Sequence, residues 1–90
     1  MPMHQTIFVK GKVQGVFYRA SAKQKADLMN IKGFAKNLTD GQVYIEAEGD
    51  AISLQAFIEW CKIGPKNAVV ENVSTTQGNS VGYNSFEIKR

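Results

Sequence analysis

Between Gln42 and Glu48 the chain alternates strictly: Val43, Ile45 and Ala47 are apolar, while Tyr44, Glu46 and Glu48 carry polar or ionisable groups. Side chains along a strand point to opposite faces with a period of two. The stretch therefore predicts a strand in a sheet with one covered face. Two segments can supply the cover. Tyr18 to Met29 is rich in Ala, Lys, Gln and Leu and lacks Gly and Pro, which predicts a helix with Tyr18, Ala22, Ala26 and Met29 along one stripe and Asn30 at its end. Asp50 can cap a second helix in which Leu54, Phe57, Ile58 and Cys61 follow the i, i+3, i+4, i+7 spacing until Gly64-Pro65 stops it.

Further strands are expected over Thr6 to Val13, with Ile7, Val9 and Val13 on one face, and over Lys32 to Asn37. Thr39-Asp40-Gly41 supplies the turn between that second strand and the third, Gln42 to Glu48. Val69 to Thr76 and Ser85 to Lys89 complete the set, separated by the loop-like Gln77-Gly78-Asn79-Ser80. The order is β-α-β-β-α-β with a short terminal strand. It predicts a ferredoxin-like α+β sandwich, two helices on one face of a mainly antiparallel sheet. A chain of 90 residues with 43% hydrophobic content suits one domain over residues 1–90 around a single core.

The formal charge of +3 is spread along the chain rather than gathered in a run, so it points weakly to an anionic partner. Lys23, Lys25 and Asp27 read as solvated helix surface. No apolar segment approaches the roughly 20 residues needed to span a bilayer, and the first residues lack the pattern of a secretory leader. The lone Cys61 falls in a helical pattern and reads as a buried thiol in a reducing cytoplasm. His4 is expected in a mobile N-terminal tail, and no cluster of Cys, His and carboxylates suggests a metal site.

The stretch Gly11-Lys12-Val13-Gln14-Gly15-Val16-Phe17-Tyr18-Arg19 joins the first strand to the first helix. Its glycines permit positive φ and close backbone approach to a ligand. Amides of a helix's first turn, with the positive end of the helix dipole, favour a phosphate or other anion. Arg19 can hold two oxygens of such an anion through its planar guanidinium. From these residues alone, an anion cradle and an ordinary strand-to-helix turn with a solvated arginine both stand. The spacing fits neither a Walker A sequence nor a dinucleotide fingerprint.

The same stretch strongly resembles the first signature of the acylphosphatase family. Gly33-Phe34-Ala35-Lys36-Asn37, followed by Gly41-Gln42-Val43 and Gly49, resembles its second. The resemblance runs from Thr6 to Arg90; the Phe17-Tyr18 pair and Ala35 vary on the pattern, and the region from Gly64 to Tyr83 departs from it most. It implies an enzyme that hydrolyses acyl phosphates to a carboxylate and inorganic phosphate without metal or cofactor. It further implies that the backbone amides of Gln14, Gly15, Val16, Phe17, Tyr18 and Arg19, with the Arg19 side chain, bind the phosphoryl group. Asn37 would position the attacking water. The partners expected are a small acyl phosphate and phosphate, with neither nucleic acid nor membrane, for a cytoplasmic monomer.

Such a site is chemically sufficient. An acyl phosphate expels a carboxylate whose conjugate acid has a pKa of about 4, so the leaving group needs little protonation. What remains is to hold the phosphoryl group, neutralise its equatorial oxygens and place water in line. A neutral amide such as Asn37 can orient water without titrating. Two alternatives share the fold or the loop. An RNA-recognition module would match Lys32-Gly33-Phe34-Ala35, but Lys36 and Asn37 then stand where an aromatic and an aliphatic residue are required. A non-catalytic phosphate sensor would need no residue to place water, and Asn37 argues against it.

Overall fold

The computed structural model describes residues 2–90. Seven elements follow in order: β1 (Met3–Lys12), α1 (Tyr18–Leu28), β2 (Lys32–Asn37), β3 (Val43–Gly49), α2 (Ala51–Cys61), β4 (Val69–Gly78) and β5 (Phe86–Lys89). The strands form one sheet in the order β4-β1-β3-β2-β5. β1 runs antiparallel to both β3 and β4, and β2 runs antiparallel to β3. β5 alone runs parallel to its neighbour, β2, on the outer edge. This is the expected ferredoxin-like α+β arrangement.

Both helices lie on the face that the alternation predicted. Ile7, Val9 and Val13, together with Val43, Ile45 and Ala47, are buried against Tyr18, Ala22 and Ala26 of α1 and Leu54, Phe57, Ile58 and Cys61 of α2. The helix ends follow their local chemistry. Asp50 caps α2 by accepting from the Ser53 amide at 2.9 Å, and Asn30 takes a left-handed conformation (φ 56°) just beyond α1, which asparagine tolerates better than most residues. Lys23 is less free than a solvated surface residue. Its ammonium reaches Asp27 and also donates to the Phe86 carbonyl at 3.0 Å, fastening α1 to β5.

The opposite face of the sheet carries a second, smaller cluster. Phe8 meets Tyr44 edge-on at 5.0 Å, Phe34 lies 5.9 Å from both Tyr44 and Tyr83, and Lys89 sits over the Phe34 ring. These rings pack on one another, and the Lys36 ammonium lies 5.6 Å from the centre of the Tyr44 ring.

Three expectations are corrected. His4 lies in no mobile tail: it is buried in β1, opposite Glu48, with one ring nitrogen 2.6 Å from Glu48 and the other bonded to Glu46. Glu48 also accepts from the amides of Val81, Gly82 and Tyr83, so this cluster ties β1 and β3 to the segment before β5. Because β1 starts early, β4 has a partner beyond Thr76. Gln77 and Gly78 pair with Gln5 and His4 instead of forming a loop. Gly11, finally, has its positive φ of 132°, but what approaches it is β4, not a ligand. A Cβ there would sit 2.2 Å from the Val69 carbonyl oxygen, at a shift in the β1–β4 register.

Candidate active site

The loop from Lys12 to α1 is held by three inward-facing side chains. Val13, Val16 and Tyr18 are buried, and the Tyr18 hydroxyl donates to the Cys61 carbonyl of α2 at 2.8 Å. Burial pushes the Tyr18 hydroxyl's pKa upward and raises that of the Cys61 thiol to about 12, so both stay neutral and act as packing. Between these anchors the backbone turns outward. Gly15 has φ 75° with open space where a Cβ would stand. Phe17 takes φ 62° and ψ 26° at the N-cap of α1, a left-handed geometry that costs a bulky residue about 1–2 kcal/mol.

No side chain caps α1, no acidic residue occupies its first turn, and its first backbone bond runs from the Ser21 amide to the Phe17 carbonyl at 3.0 Å. The amides of that turn are therefore without intrahelical partners and carry the positive end of the dipole. Arg19 projects from this turn, and one of its terminal nitrogens donates to the Lys89 carbonyl at 2.8 Å. The edge strand thus fixes the guanidinium's direction while leaving its other donors available.

Asn37 arrives from the neighbouring hairpin as the last residue of β2. The hairpin is closed by the Leu38 amide on the Gln42 carbonyl at 2.8 Å and by Asp40, which accepts from the Gln42 amide. Gln14 clamps the two loops together: its side-chain amide donates to the carbonyls of both Leu38 (2.8 Å) and Gln42 (2.9 Å). The Asn37 side-chain oxygen is buried and finds no hydrogen-bond partner among the described residues. Buried polar atoms are nearly always paired, so an orphan of this kind calls for an explanation.

Gly15, Phe17, Tyr18, Arg19 and Asn37 line one pocket of about 330 Å³ together with Ala20, Ile88 and Arg90. The first five were expected. The side chains of Gln14 and Val16 do not line the pocket, that of Gln14 bracing the hairpin and that of Val16 entering the core; the expectation for these two concerned their backbone amides. Ile88 and Arg90 were missed, because they reach the pocket only through the parallel pairing of β5 with β2. That pairing sets Lys36 opposite Lys89 and so brings the next residues, Asn37 and Arg90, together. Among the described residues, no group of three His, Cys, Asp or Glu side chains is arranged to hold a metal ion. No helix among them is long and apolar enough to cross a membrane.

Fold and pocket together define an α+β sandwich with an anion-seeking cleft between a helix N-terminus and a strand end. A sequence model of the acylphosphatase family matches residues 5–88. An acylphosphatase of Marinobacter nauticus is 49% identical over 71 residues, 79% of this chain and 77% of the relative. Solved acylphosphatases of Coxiella burnetii and Bacillus subtilis superpose with a TM-score of 0.95 each, at 35% and 37% identity. Each covers 98% of this chain, and the chain covers 93% and 99% of them. The chain belongs to the acylphosphatase family. It is an enzyme that hydrolyses acyl phosphates to a carboxylate and inorganic phosphate, and the RNA-recognition alternative is not favoured.

Proposed function

We propose that the phosphoryl group of the substrate sits in the pocket against the amides of Gln14 to Arg19, with the Arg19 guanidinium on its oxygens and with Asn37 orienting the attacking water. One observation carries this reading. The uncapped first turn of α1, the guanidinium fixed by Lys89 and the orphaned oxygen of Asn37 all meet at one cleft. An unpaired amide oxygen is a fitting acceptor for a water proton, and it aims the lone pair of that water at phosphorus. Fixed dipoles and the guanidinium then stabilise charge on the equatorial oxygens, in a site that needs no reorganisation as the reaction proceeds. The carboxylate leaves unprotonated, and an oxygen of the bound phosphoryl group takes the proton from water.

The pocket, about 330 Å³ in volume, suits a small acyl phosphate, and we read the enzyme as a monomer. The single hydrophobic core supports reading residues 1–90 as one domain. The buried, unreactive Cys61 supports a reducing, cytoplasmic setting.

Steady-state kinetics on benzoyl phosphate, with EDTA present and inorganic phosphate as competitor, test the assignment. Arg19→Ala is expected to weaken phosphate inhibition and Asn37→Ala to lower kcat. Each loses on the order of 1.5–3 kcal/mol, the range for a hydrogen bond linked to charge. Full turnover by Asn37→Ala would remove that residue from the reaction.

A further inference from the structure

The residue that the cradle uses least economically is Phe17. Only two residues other than glycine have positive φ among those described, and the other, Asn30, ends a helix where asparagine is at ease. Phe17 combines this geometry with a ring that is 80% exposed. The residues on either side, Val16 and Tyr18, are buried and hold the loop without its help. The ring thus contributes nothing visible to the core, and a polar residue such as Ser or Asp would suit an N-cap better. A phenylalanine there has one further property: it offers no side-chain acceptor to the first-turn amides, so they stay open to a ligand. Strain and exposure at one position beside a binding cleft point toward function.

The pocket wall supplies the rest. Its polar half is Gly15, Arg19 and Asn37; the same cleft is also lined by Phe17 and by Ile88, an exposed aliphatic side chain on β5. An acyl phosphate has the same division, a phosphoryl head joined to a carbon chain or ring. With the head in the cradle, the acyl part must leave along the wall. We propose that Phe17, with Ile88, forms the acyl subsite of this enzyme and makes it prefer aromatic and larger apolar acyl groups over acetyl. The proposal rests on the reading that the phosphoryl group occupies the cradle. An aromatic acyl group gains ring-to-ring contact with Phe17 and removes both apolar surfaces from water, whereas acetyl is too short to cover either.

The test is the ratio of kcat/KM for benzoyl phosphate to that for acetyl phosphate, measured on wild type, Phe17→Ala, Phe17→Gly and Ile88→Ala. Glycine takes the positive φ without strain, so it separates loss of the ring from distortion of the loop. Both Phe17 variants are expected to lower the ratio about tenfold, equivalent to about 1.4 kcal/mol, and Ile88→Ala to lower it about threefold. A ratio within twofold of wild type in both Phe17 variants overturns the subsite, however much the absolute rates fall. Competitive inhibition of the wild type by inorganic phosphate reports on the cradle separately. Its absence would remove the phosphoryl placement and the subsite with it, while its presence with an unmoved ratio would remove the subsite alone.

Discussion

Arg19 is held at two points that do different things. Its backbone belongs to the first turn of α1, and its guanidinium is tethered to the carbonyl of Lys89. A lysine at this position keeps the charge but loses the planar fork, so it cannot satisfy the tether and grip two oxygens together. Arg19→Lys is therefore expected to raise the inhibition constant of phosphate by at least about tenfold, with an unchanged melting temperature because the side chain is only partly buried. Titration by calorimetry reads this directly, and phosphate affinity equal to wild type would show that charge alone suffices. Arg19 and Asn37 were singled out by residue type and signature, and both line the cleft. The orphaned state of Asn37 was not, since it depends on which atoms the folded hairpin happens to leave near the amide. Gly11 shows the opposite error: the need for positive φ was legible, but its cause was a strand lying behind it.

At the scale of elements, the site is a meeting of the loop before α1 with the β2–β3 hairpin, and Gln14 is the cross-link. Its amide satisfies two hairpin carbonyls, so Gln14→Leu leaves both without that donor and releases Asn37 from its position relative to the cradle. Both carbonyls keep a backbone donor, from the Gly41 and Leu38 amides, so the expected stability loss by thermal or urea unfolding is that of two hydrogen bonds, about 1–3 kcal/mol in all. On the roles proposed above, in which the hairpin's Asn37 places water, turnover on benzoyl phosphate should fall further than phosphate affinity does. An equal loss in both would mean that Gln14 shapes the cradle alone. Element types and faces were readable in the sequence because each amphipathic period is local: Leu54, Phe57, Ile58 and Cys61 are all buried as their spacing requires. The position of β5 was not readable. A four-residue strand says nothing of its neighbour, and so Ile88 and Arg90 escaped the sequence reading.

Across the whole molecule, ionisable groups separate from the pocket. His4 faces Glu48 and Glu46, with the Tyr83 ring 6.2 Å away and the Tyr44 hydroxyl donating to Glu46. Burial pulls the pKa of His4 down, yet its hydrogen bonds to Glu48 and Glu46 outweigh burial and leave it above the usual 6.5. Burial pushes Glu48 up, but the amides of Val81, Gly82 and Tyr83, with His4, hold it below 4.5. The histidine's contribution to stability is thus complete below about 6.5 and is lost as pH rises through its raised value. That of Glu48 is present above about 4.5 and is lost as pH falls through its lowered value. Thermal melts should therefore show a higher melting temperature at pH 6 than at pH 9, and His4→Gln should flatten the alkaline fall. Parallel curves for the two proteins would dissociate the effect from His4. Nothing local announced this cluster, since its members lie 42 and 44 residues apart along the chain.

The β1–β3 register has a last consequence. His4 stands opposite Glu48 and Val9 opposite Val43, while Val43 also pairs with Asn37. At about 3.3 Å per residue, the pH-sensitive corner and the candidate cleft lie some 15 Å or more apart along one ladder. Robustness and turnover can therefore drift separately under selection: substitutions at one end of the ladder can retune the tolerated acidity without disturbing the geometry at the other.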